Sequence, residues 1–225
     1  MQDPNFVRAA FARIADRYVL TNRVLSVGTD ILWRHAVSRQ VALWNPSSLL
    51  DVATGTGDLA LQMQEYLPNC QVLGSDFCPE MLVHAAERGV QETMVADALN
   101  LPFEDDRFDV VTVAFGLRNM ADYPAAIREM KRVIKPGGHF LVLDFAIPEN
   151  LLRAPYRWYL HAVLPKLAGW LTGQGDAYTY LGESIESFPS GEDMLDLFKA
   201  EGLEETTFQP LSLGVAAIYT GKVPA

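Results

Sequence analysis

Residues 48–58 constrain the fold more than any other part of the chain, because an apolar run there ends in two glycines one residue apart. The run over residues 48–53 predicts a buried strand, and the residues from Asp58 onward predict a helix. Gly55 and Gly57 form the turn between them. A glycine has no Cβ, so the backbone N–H groups of such a turn can approach a bound ligand closely. The sequence therefore predicts a ligand site at this turn.

The charges beside this turn distinguish between two kinds of ligand. The spacing Gly55-x-Gly57-x-x-Ala60 fits the relaxed dinucleotide pattern, which makes a nicotinamide-dependent oxidoreductase one alternative. However, Asp51 and Asp58 flank the glycines, and no Lys or Arg lies between positions 51 and 61. Each carboxylate would repel a pyrophosphate by about 1 kcal/mol or more, whereas both would attract an ammonium and a sulfonium. We therefore expect S-adenosylmethionine (SAM), with Asp51, Gly55 and Gly57 in its binding site.

The net charge of the chain is negative but unevenly distributed. The 225 residues carry a net charge of −10, which argues against nonspecific nucleic-acid binding. Residues 1–40 alone carry +3, so the remainder carries −13. A basic segment on an acidic body predicts contact with an anionic membrane surface, although a solvated helix face is an alternative explanation.

The cysteine content and the hydropathy pattern predict a cytoplasmic protein, peripheral at the inner face of a membrane if it contacts one. Cys70 and Cys78 have neither metal-ligand nor redox spacing, so we expect a reducing compartment and no metal. The N-terminus does not resemble a signal peptide. No run approaches the roughly 18–20 uninterrupted apolar residues of a membrane span.

Apolar runs and helical patterns alternate through the middle of the chain, which predicts a parallel sheet covered by helices on both faces. The predicted strands cover residues 48–53, 71–75, 93–96, 108–115 and 139–145. The predicted helices between them cover residues 58–67, 79–88 and 122–134. Residues 135–138, Lys-Pro-Gly-Gly, predict a turn before the fifth strand.

The length and this pattern predict one domain made of four parts. Residues 1–45 are predicted to form an N-terminal helical lid, and residues 46–147 the ligand-binding core. Residues 148–189 are rich in aromatic side chains and form a predicted helical insert on the substrate side. A helix at 190–201 and strands at 204–213 and 215–221 close the fold.

Polar residues follow the predicted strands at their carboxyl ends, where ligands of open parallel sheets bind. Asp76 is placed to accept hydrogen bonds from a ribose diol, and Asp97 and Ala98 are placed beside the adenine. An Asp after a strand is also a common turn or cap residue. Arg118 and Asn119 follow the most apolar strand, where a charge needs a partner. A structural ion pair is the alternative interpretation of Arg118.

Several longer motifs resemble one enzyme family across nearly the whole chain. They are Leu50-Asp51-Val52-Ala53-Thr54-Gly55-Thr56-Gly57-Asp58, Phe115-Gly116-Leu117-Arg118-Asn119, and Tyr178-x-Tyr180-Leu181-x-Glu183-Ser184-Ile185. In these motifs the chain resembles the ubiquinone/menaquinone biosynthesis C-methyltransferases, class I SAM-dependent enzymes that methylate a ring carbon of a prenylated quinol. The resemblance implies a Rossmann-like α/β fold with a seven-stranded, mostly parallel sheet.

The resemblance also implies roles for individual residues. The implied SAM contacts are Thr56, Asp76, Asp97, Ala98 and Ala114, the last standing where the family often has Ser. Arg118 and Asn119 would stabilise the phenolate, and Tyr18 would help to orient the ring. The implied substrate contacts are Asn22, Tyr178, Tyr180 and Ser184.

The expected reaction converts demethylmenaquinol to menaquinol. Methylation of a benzoquinol intermediate of ubiquinone is an alternative within the same enzyme class. A non-catalytic SAM-binding scaffold of a quinone-synthesis complex is an alternative of another class. The expected partners are the prenylated quinol, an anionic membrane surface and a second copy in a homodimer.

Overall fold

A seven-stranded sheet forms the centre of the computed structural model, which describes residues 28–165 and 175–225, with the backbone alone at 175–180. The strand order is β3-β2-β1-β4-β5-β7-β6, and β7 runs antiparallel to the other six strands. The strands are β1 Ser48–Val52, β2 Gln71–Asp76, β3 Glu92–Val95, β4 Phe108–Ala114, β5 Ile134–Phe145, β6 Glu204–Leu211 and β7 Ala216–Lys222. The predicted α/β class and the mostly parallel sheet are confirmed.

Helices connect the strands and cover both faces of the sheet. The α-helices are α1 Thr29–Trp44, α2 Asp58–Tyr66, α3 Pro79–Glu87, α4 Tyr123–Arg132, α5 Arg153–Trp158, α6 Gly175–Ser187 and α7 Glu192–Ala200. Short 3-10 turns cover Leu117–Asn119 and Ser212–Gly214, and a π-helical turn covers Tyr159–Val163. Of the helices that the structure describes, none is long and apolar enough to cross a membrane.

Two apolar clusters form the core, one on each face of the sheet. Alternate residues of a strand point to opposite faces, so Leu49 packs with α1 and α2 while Leu50 packs with α4 and α7. The central strand β4 contributes to both clusters through Val110 and Val111. This burial on both faces explains why β4 is almost entirely apolar.

The predicted turn at residues 135–138 was wrong, because the structure places these residues inside β5. Phe108 pairs with Ile134, but Val110 pairs with His139, so the extra residues of β5 bulge out of the ladder. Gly137 adopts a φ of +76°, which a bulge favours and other residues rarely adopt. The Lys-Pro-Gly-Gly sequence thus marks a bulge rather than the end of a strand.

Candidate active site

An open cavity lies at the carboxyl ends of β1, β2 and β4, where the strand order reverses on either side of β1. It encloses about 1010 Å³ of empty space, part of it open to solvent. Five of the eight residues predicted to bind the cofactor line it together with apolar neighbours. Those used below are Ala53, Gly55, Asp76, Cys78, Asp97, Ala98, Leu99, Ala114, Phe115, Gly116 and Asn119.

The glycine turn after β1 has the tight geometry that its sequence predicts. Gly55 and Gly57 have φ values of +58° and +81°, and the Gly57 N–H donates to the Thr54 carbonyl at 2.9 Å. A Cβ on Gly57 would lie only 2.4 Å from the Val90 side chain. Gly57 is therefore fixed by packing and backbone conformation rather than by contact with the cavity, which Gly55 lines.

Asp76 ties the end of β2 to the glycine turn. Its two carboxylate oxygens accept hydrogen bonds from the backbone N–H groups of Gly55 and Cys78, both at 2.8 Å. Burial raises the pKa of Asp76, and these hydrogen bonds act in the opposite direction. Each carboxylate oxygen has a second lone pair, so Asp76 can also accept from a ribose hydroxyl in the cavity that it lines.

Asp97 and Ala98 follow β3 and reach the same cavity. One Asp97 oxygen accepts from the Leu99 N–H at 2.9 Å, which closes a turn, so the structural role considered from the sequence is present. The Asp97 side chain is nevertheless exposed and faces the cavity beside apolar Ala98 and Leu99. A polar acceptor next to an apolar wall suits an aromatic base that carries an amino group.

Asp51, which we predicted in the SAM-binding site, lies beneath the glycine turn and is not among the described residues that line the cavity. Its carboxylate accepts from the hydroxyls of Thr54 at 2.6 Å and Thr112 at 2.8 Å. Burial raises its pKa to about 6, while these two hydrogen bonds lower it. Asp51 is therefore placed to influence a ligand through its charge and through Thr54, and its own contact with SAM stays a prediction.

Arg88 pairs with Asp58, the other carboxylate of the turn, and no pattern in the sequence predicted this ion pair. Its guanidinium donates to Asp58 at 2.7 Å and to the Thr56 carbonyl at 2.7 Å. Burial acts to raise the pKa of Asp58, but the hydrogen bond and charge of Arg88 and the charge of Arg34 lower it overall. Thr56 is buried, and its hydroxyl donates to Asp58 at 3.1 Å. Thr56 is not among the described residues that line the cavity, and its predicted contact with SAM stays a prediction.

The backbone is strained where β1 and β4 end beside the cavity. Ala53 and Phe115 have φ values of +53° and +59°, a region that residues other than glycine rarely occupy. A Cβ on Gly116 would lie 2.6 Å from the Ala53 Cβ, so the two strand ends approach each other closely. Strain of this kind is typical of functional sites. Nothing in the sequence pattern indicated it.

The Arg118 side chain forms a buried ion pair with Asp144, so the structural alternative considered from the sequence is present. The guanidinium donates to Asp144 at 2.7 Å, and the two side chains are 6% and 0% exposed. Burial raises the pKa of Asp144, and the charge of Arg118 acts in the opposite direction. Arg118 is not among the described residues that line the cavity. Direct contact of Arg118 with a substrate stays a prediction.

Asn119 does line the cavity, as predicted for a residue that meets the substrate. Its amide donates to the Phe115 carbonyl at 3.2 Å, and Arg118 donates to the same carbonyl at 2.6 Å. Both side chains thereby hold Phe115 in its strained conformation. The Phe-Gly-Leu-Arg-Asn motif is thus one unit that shapes the cavity wall.

The remaining predicted residues have different outcomes. Ala114 lines the cavity, but Ser184 is buried in α6, where its hydroxyl donates to the Leu181 carbonyl at 2.9 Å. Tyr18 and Asn22 lie outside the described residues, and so do the side chains of Tyr178 and Tyr180. Their predicted substrate contacts stay predictions.

The residues present fit SAM. The turn at Gly55 lets backbone approach a ligand, and Asp76 offers carboxylate acceptors for hydroxyl groups. The wall at Ala98 and Leu99 is apolar, as an adenine ring requires. The buried carboxylate of Asp51 favours a cationic ligand above it.

Protein relatives match this chain over nearly its full length. The model of the ubiE/COQ5 methyltransferase family matches residues 1–223. The demethylmenaquinone methyltransferase of Deinococcus radiodurans is 42% identical over 96% of this chain and 91% of that protein. The enzyme of the same name from Thermus thermophilus is 44% identical over 95% of this chain and 100% of that protein. The ubiquinone/menaquinone biosynthesis C-methyltransferase UbiE of Bdellovibrio bacteriovorus is 40% identical over 98% of this chain and 97% of that protein.

Solved structures of other methyltransferases share the fold. A possible histamine N-methyltransferase from Thermotoga maritima has a TM-score of 0.70 at 19% identity, over 94% of this chain and 97% of that one. Phosphoethanolamine N-methyltransferase 2 of Haemonchus contortus, solved with SAM, has a TM-score of 0.59 at 15% identity, over 80% of this chain and 49% of that one. At these identities the likeness concerns the fold alone.

Proposed function

Because the chain belongs to the ubiE/COQ5 methyltransferase family, we propose that it catalyses the SAM-dependent C-methylation of demethylmenaquinol to menaquinol. One observation carries the choice of substrate. Two relatives named demethylmenaquinone methyltransferase are 42% and 44% identical to this chain over 96% and 95% of its length. The cavity at the carboxyl edge of the sheet supplies a place for the methyl donor.

SAM, when bound, supplies a methyl group activated by a sulfonium. Asp76 would hold its ribose, and Asp97 and Ala98 would hold its adenine. The apolar side chains of this wall, Ala98, Leu99 and Phe115, would help a bound ligand to exclude water from the part of the cavity that they line. Asp51 supplies negative charge from beneath the turn.

Carbon methylation needs an electron-rich ring, so the chain must favour the quinolate over the quinol. Asn119 lies at the cavity wall, where its amide can donate to a ring oxygen. Arg118 and Asp144 hold the turn that presents Asn119, which makes them positioning residues in this proposal. Tyr18, Asn22, Tyr178 and Tyr180 remain proposed contacts for orienting the ring.

A benzoquinol is the second candidate substrate, because the Bdellovibrio bacteriovorus relative is named for both ubiquinone and menaquinone biosynthesis. Its 40% identity is close to that of the menaquinone relatives. The rates of methylation of the naphthoquinol and the benzoquinol therefore have to be measured and compared.

We also propose partners outside the active site. The substrate carries a prenyl tail, and residues 1–40 carry a net charge of +3, which favours contact of this segment with an anionic membrane surface. Flotation with anionic and neutral liposomes tests this contact, and equal binding to both would contradict it. We propose a homodimer on general grounds, and light scattering measures it.

The decisive experiment incubates the protein with SAM and either reduced short-tail demethylmenaquinone or its benzoquinol counterpart. Mass spectrometry then detects the gain of one methyl group. We expect rapid methylation of the naphthoquinol. Faster methylation of the benzoquinol would favour the second candidate. SAM binding without methylation of either ring would contradict the enzyme and favour a scaffold. A thermal-shift comparison of SAM with NAD tests the oxidoreductase alternative, which predicts stabilisation by NAD.

A further inference from the structure

Three large apolar side chains are strongly exposed at one edge of the molecule. Leu151 is 98% exposed, Leu213 is 72% exposed and Trp158 is 66% exposed. Single exposed apolar residues are normal on protein surfaces. These three, however, come from two segments that the structure joins, and we call them the apolar rim.

Asn150 joins the two segments of the apolar rim. Its side-chain amide donates to the Leu213 carbonyl at 3.1 Å, and its side-chain oxygen accepts from the Leu152 N–H at 2.9 Å. The Leu151 side chain therefore projects from a turn that is fixed against the loop carrying Leu213. Exposure here results from a defined conformation rather than from a loose chain end.

The loop of Leu213 is held in a strained conformation. Ser212 and Leu213 have φ values of +46° and +61°, a region that residues with a side chain rarely adopt. The Trp33 indole N–H donates to the Ser212 hydroxyl at 2.8 Å and anchors the loop. A strained loop that turns a leucine towards water is a reason to look for a function.

The apolar rim lies on the same edge of the sheet as the cavity. Phe145 ends β5 and pairs with Ala216, which begins β7. The segment that follows β5 and the loop that precedes β7 therefore both project from the carboxyl edge of the parallel strands. The cavity opens at that same edge.

The charge around the apolar rim differs from that of the rest of the chain. Residues 150–165, the part of this segment that the structure describes, contain two arginines and no acidic residue, although the net charge of the whole chain is −10. Arg157 pairs with Glu186, and the Glu149 carboxylate lies beside Gly191. Arg153 is exposed next to Leu152. An exposed apolar edge with positive charge and a tryptophan suits an anionic bilayer surface.

We propose that the apolar rim inserts into an anionic lipid bilayer and turns the mouth of the cavity towards it. This inference rests on the proposed function, because a prenylated quinol resides in the bilayer and must reach the cavity from there. Leu151 and Leu213 enter the interface between head groups and acyl chains, and Arg153 faces the anionic head groups. The three residues of the apolar rim lie outside the basic segment at residues 1–40 in the sequence, although Trp33 of that segment anchors the loop of Leu213.

The test compares wild type, the Leu151→Gln/Leu213→Gln variant and Leu43→Gln as a matched control. Leu43 is 78% exposed but lies near the end of α1, by the opposite edge of the sheet where β1 begins. The readout is co-sedimentation with vesicles of phosphatidylcholine, with or without phosphatidylglycerol. We expect the double variant to lose vesicle partitioning by about tenfold or more, since two exposed leucines no longer enter the apolar phase. Leu43→Gln should partition like wild type.

Turnover separates this inference from the proposed function. All three proteins should methylate a water-soluble short-tail quinol equally, and only the double variant should be slow with a long-tail quinol in vesicles. If wild type methylates the short-tail quinol but the double variant partitions into vesicles as wild type does, the membrane role of the apolar rim is wrong and the proposed function stands. Wild type that methylates neither quinol would overturn the proposed function instead. A change in oligomeric state of the double variant by light scattering would show a protein interface and also overturn the inference.

Discussion

The substitution Asp51→Asn removes one buried negative charge while keeping the shape of the side chain. Asp51 is 1% exposed and has two hydroxyl partners, Thr54 and Thr112. Both hydroxyls can rotate to serve an amide, so the substitution tests the charge rather than the packing. We predict that the variant is more stable than wild type and binds SAM more weakly.

The raised pKa of Asp51 sets the size of the effect. Burial raises this pKa from 3.8 to about 6, and each unit corresponds to about 1.4 kcal/mol, so ionised Asp51 destabilises the fold by about 3 kcal/mol. Below about pH 4 the carboxyl is protonated in both the folded and the unfolded state. Between about pH 4 and pH 6 only the folded state keeps the proton, so the stability contribution of Asp51 is lost as the pH rises.

Urea unfolding of the ligand-free protein at a series of pH values measures this contribution. The difference in free energy of unfolding between the variant and wild type should grow from pH 4 to pH 6 and level off near 3 kcal/mol or below, since the amide loses part of the hydrogen-bond energy. Taking the difference cancels the other carboxyl groups, which titrate in both proteins. If the difference in free energy of unfolding between the two proteins does not change with pH, Asp51 is not a buried charge that destabilises the fold.

Calorimetry with two ligands tests whether the negative charge of Asp51 attracts the sulfonium of SAM. SAM carries a positive sulfonium, and S-adenosylhomocysteine carries a neutral sulfur in the same position. If Asp51 attracts the sulfonium, Asp51→Asn should weaken SAM binding more than S-adenosylhomocysteine binding. An equal loss for both ligands would mean that Asp51 only shapes the turn. The charge would then destabilise the fold without favouring the methyl donor.

Three further substitutions test the geometry of the site. Gly57→Ala places a Cβ 2.4 Å from Val90 at a φ of +81°, so urea unfolding should show a loss of at least about 1–2 kcal/mol, and a loss below about 0.5 kcal/mol would contradict the packing. Asp76→Asn replaces charged acceptors with a neutral one, so the Kd for SAM should rise about tenfold by calorimetry, and a change within about twofold would contradict the ribose contact. Arg118→Met leaves the buried Asp144 without its guanidinium and should destabilise by about 3–5 kcal/mol, whereas Arg118→Met/Asp144→Leu should recover most of that loss. A loss below about 1 kcal/mol in the single variant would contradict the ion pair.

Features set by local pattern could be predicted from the sequence. The strand and helix order follows from hydrophobic periodicity, and the glycine turn follows from the need for positive φ at Gly55 and Gly57. Because parallel strands end at one edge of the sheet, the sequence alone places Asp76 and Asp97 at the same edge, where the cavity lies.

Features set by pairing between distant residues could not be predicted. Arg88 reaches Asp58 from the position that directly follows α3, and Asn150 reaches Leu213 across the end of the sheet. These contacts depend on how helices and loops dock, and one sequence does not specify that. The charges of Asp51 and Asp58 suggested the right ligand, yet only the fold shows that one is buried and the other is paired.

Methyl transfer to a ring carbon of the quinol is the central claim, and one labelling experiment measures it directly. The protein is incubated with SAM carrying a 13C-labelled methyl group and with short-tail demethylmenaquinone, either chemically reduced or left oxidised. NMR of the product then identifies the atom that bears the label. Our account predicts a label on the ring carbon and only with the reduced substrate, since the quinol and not the quinone donates electrons. A label on a ring oxygen, or equal labelling of the oxidised quinone, would contradict it.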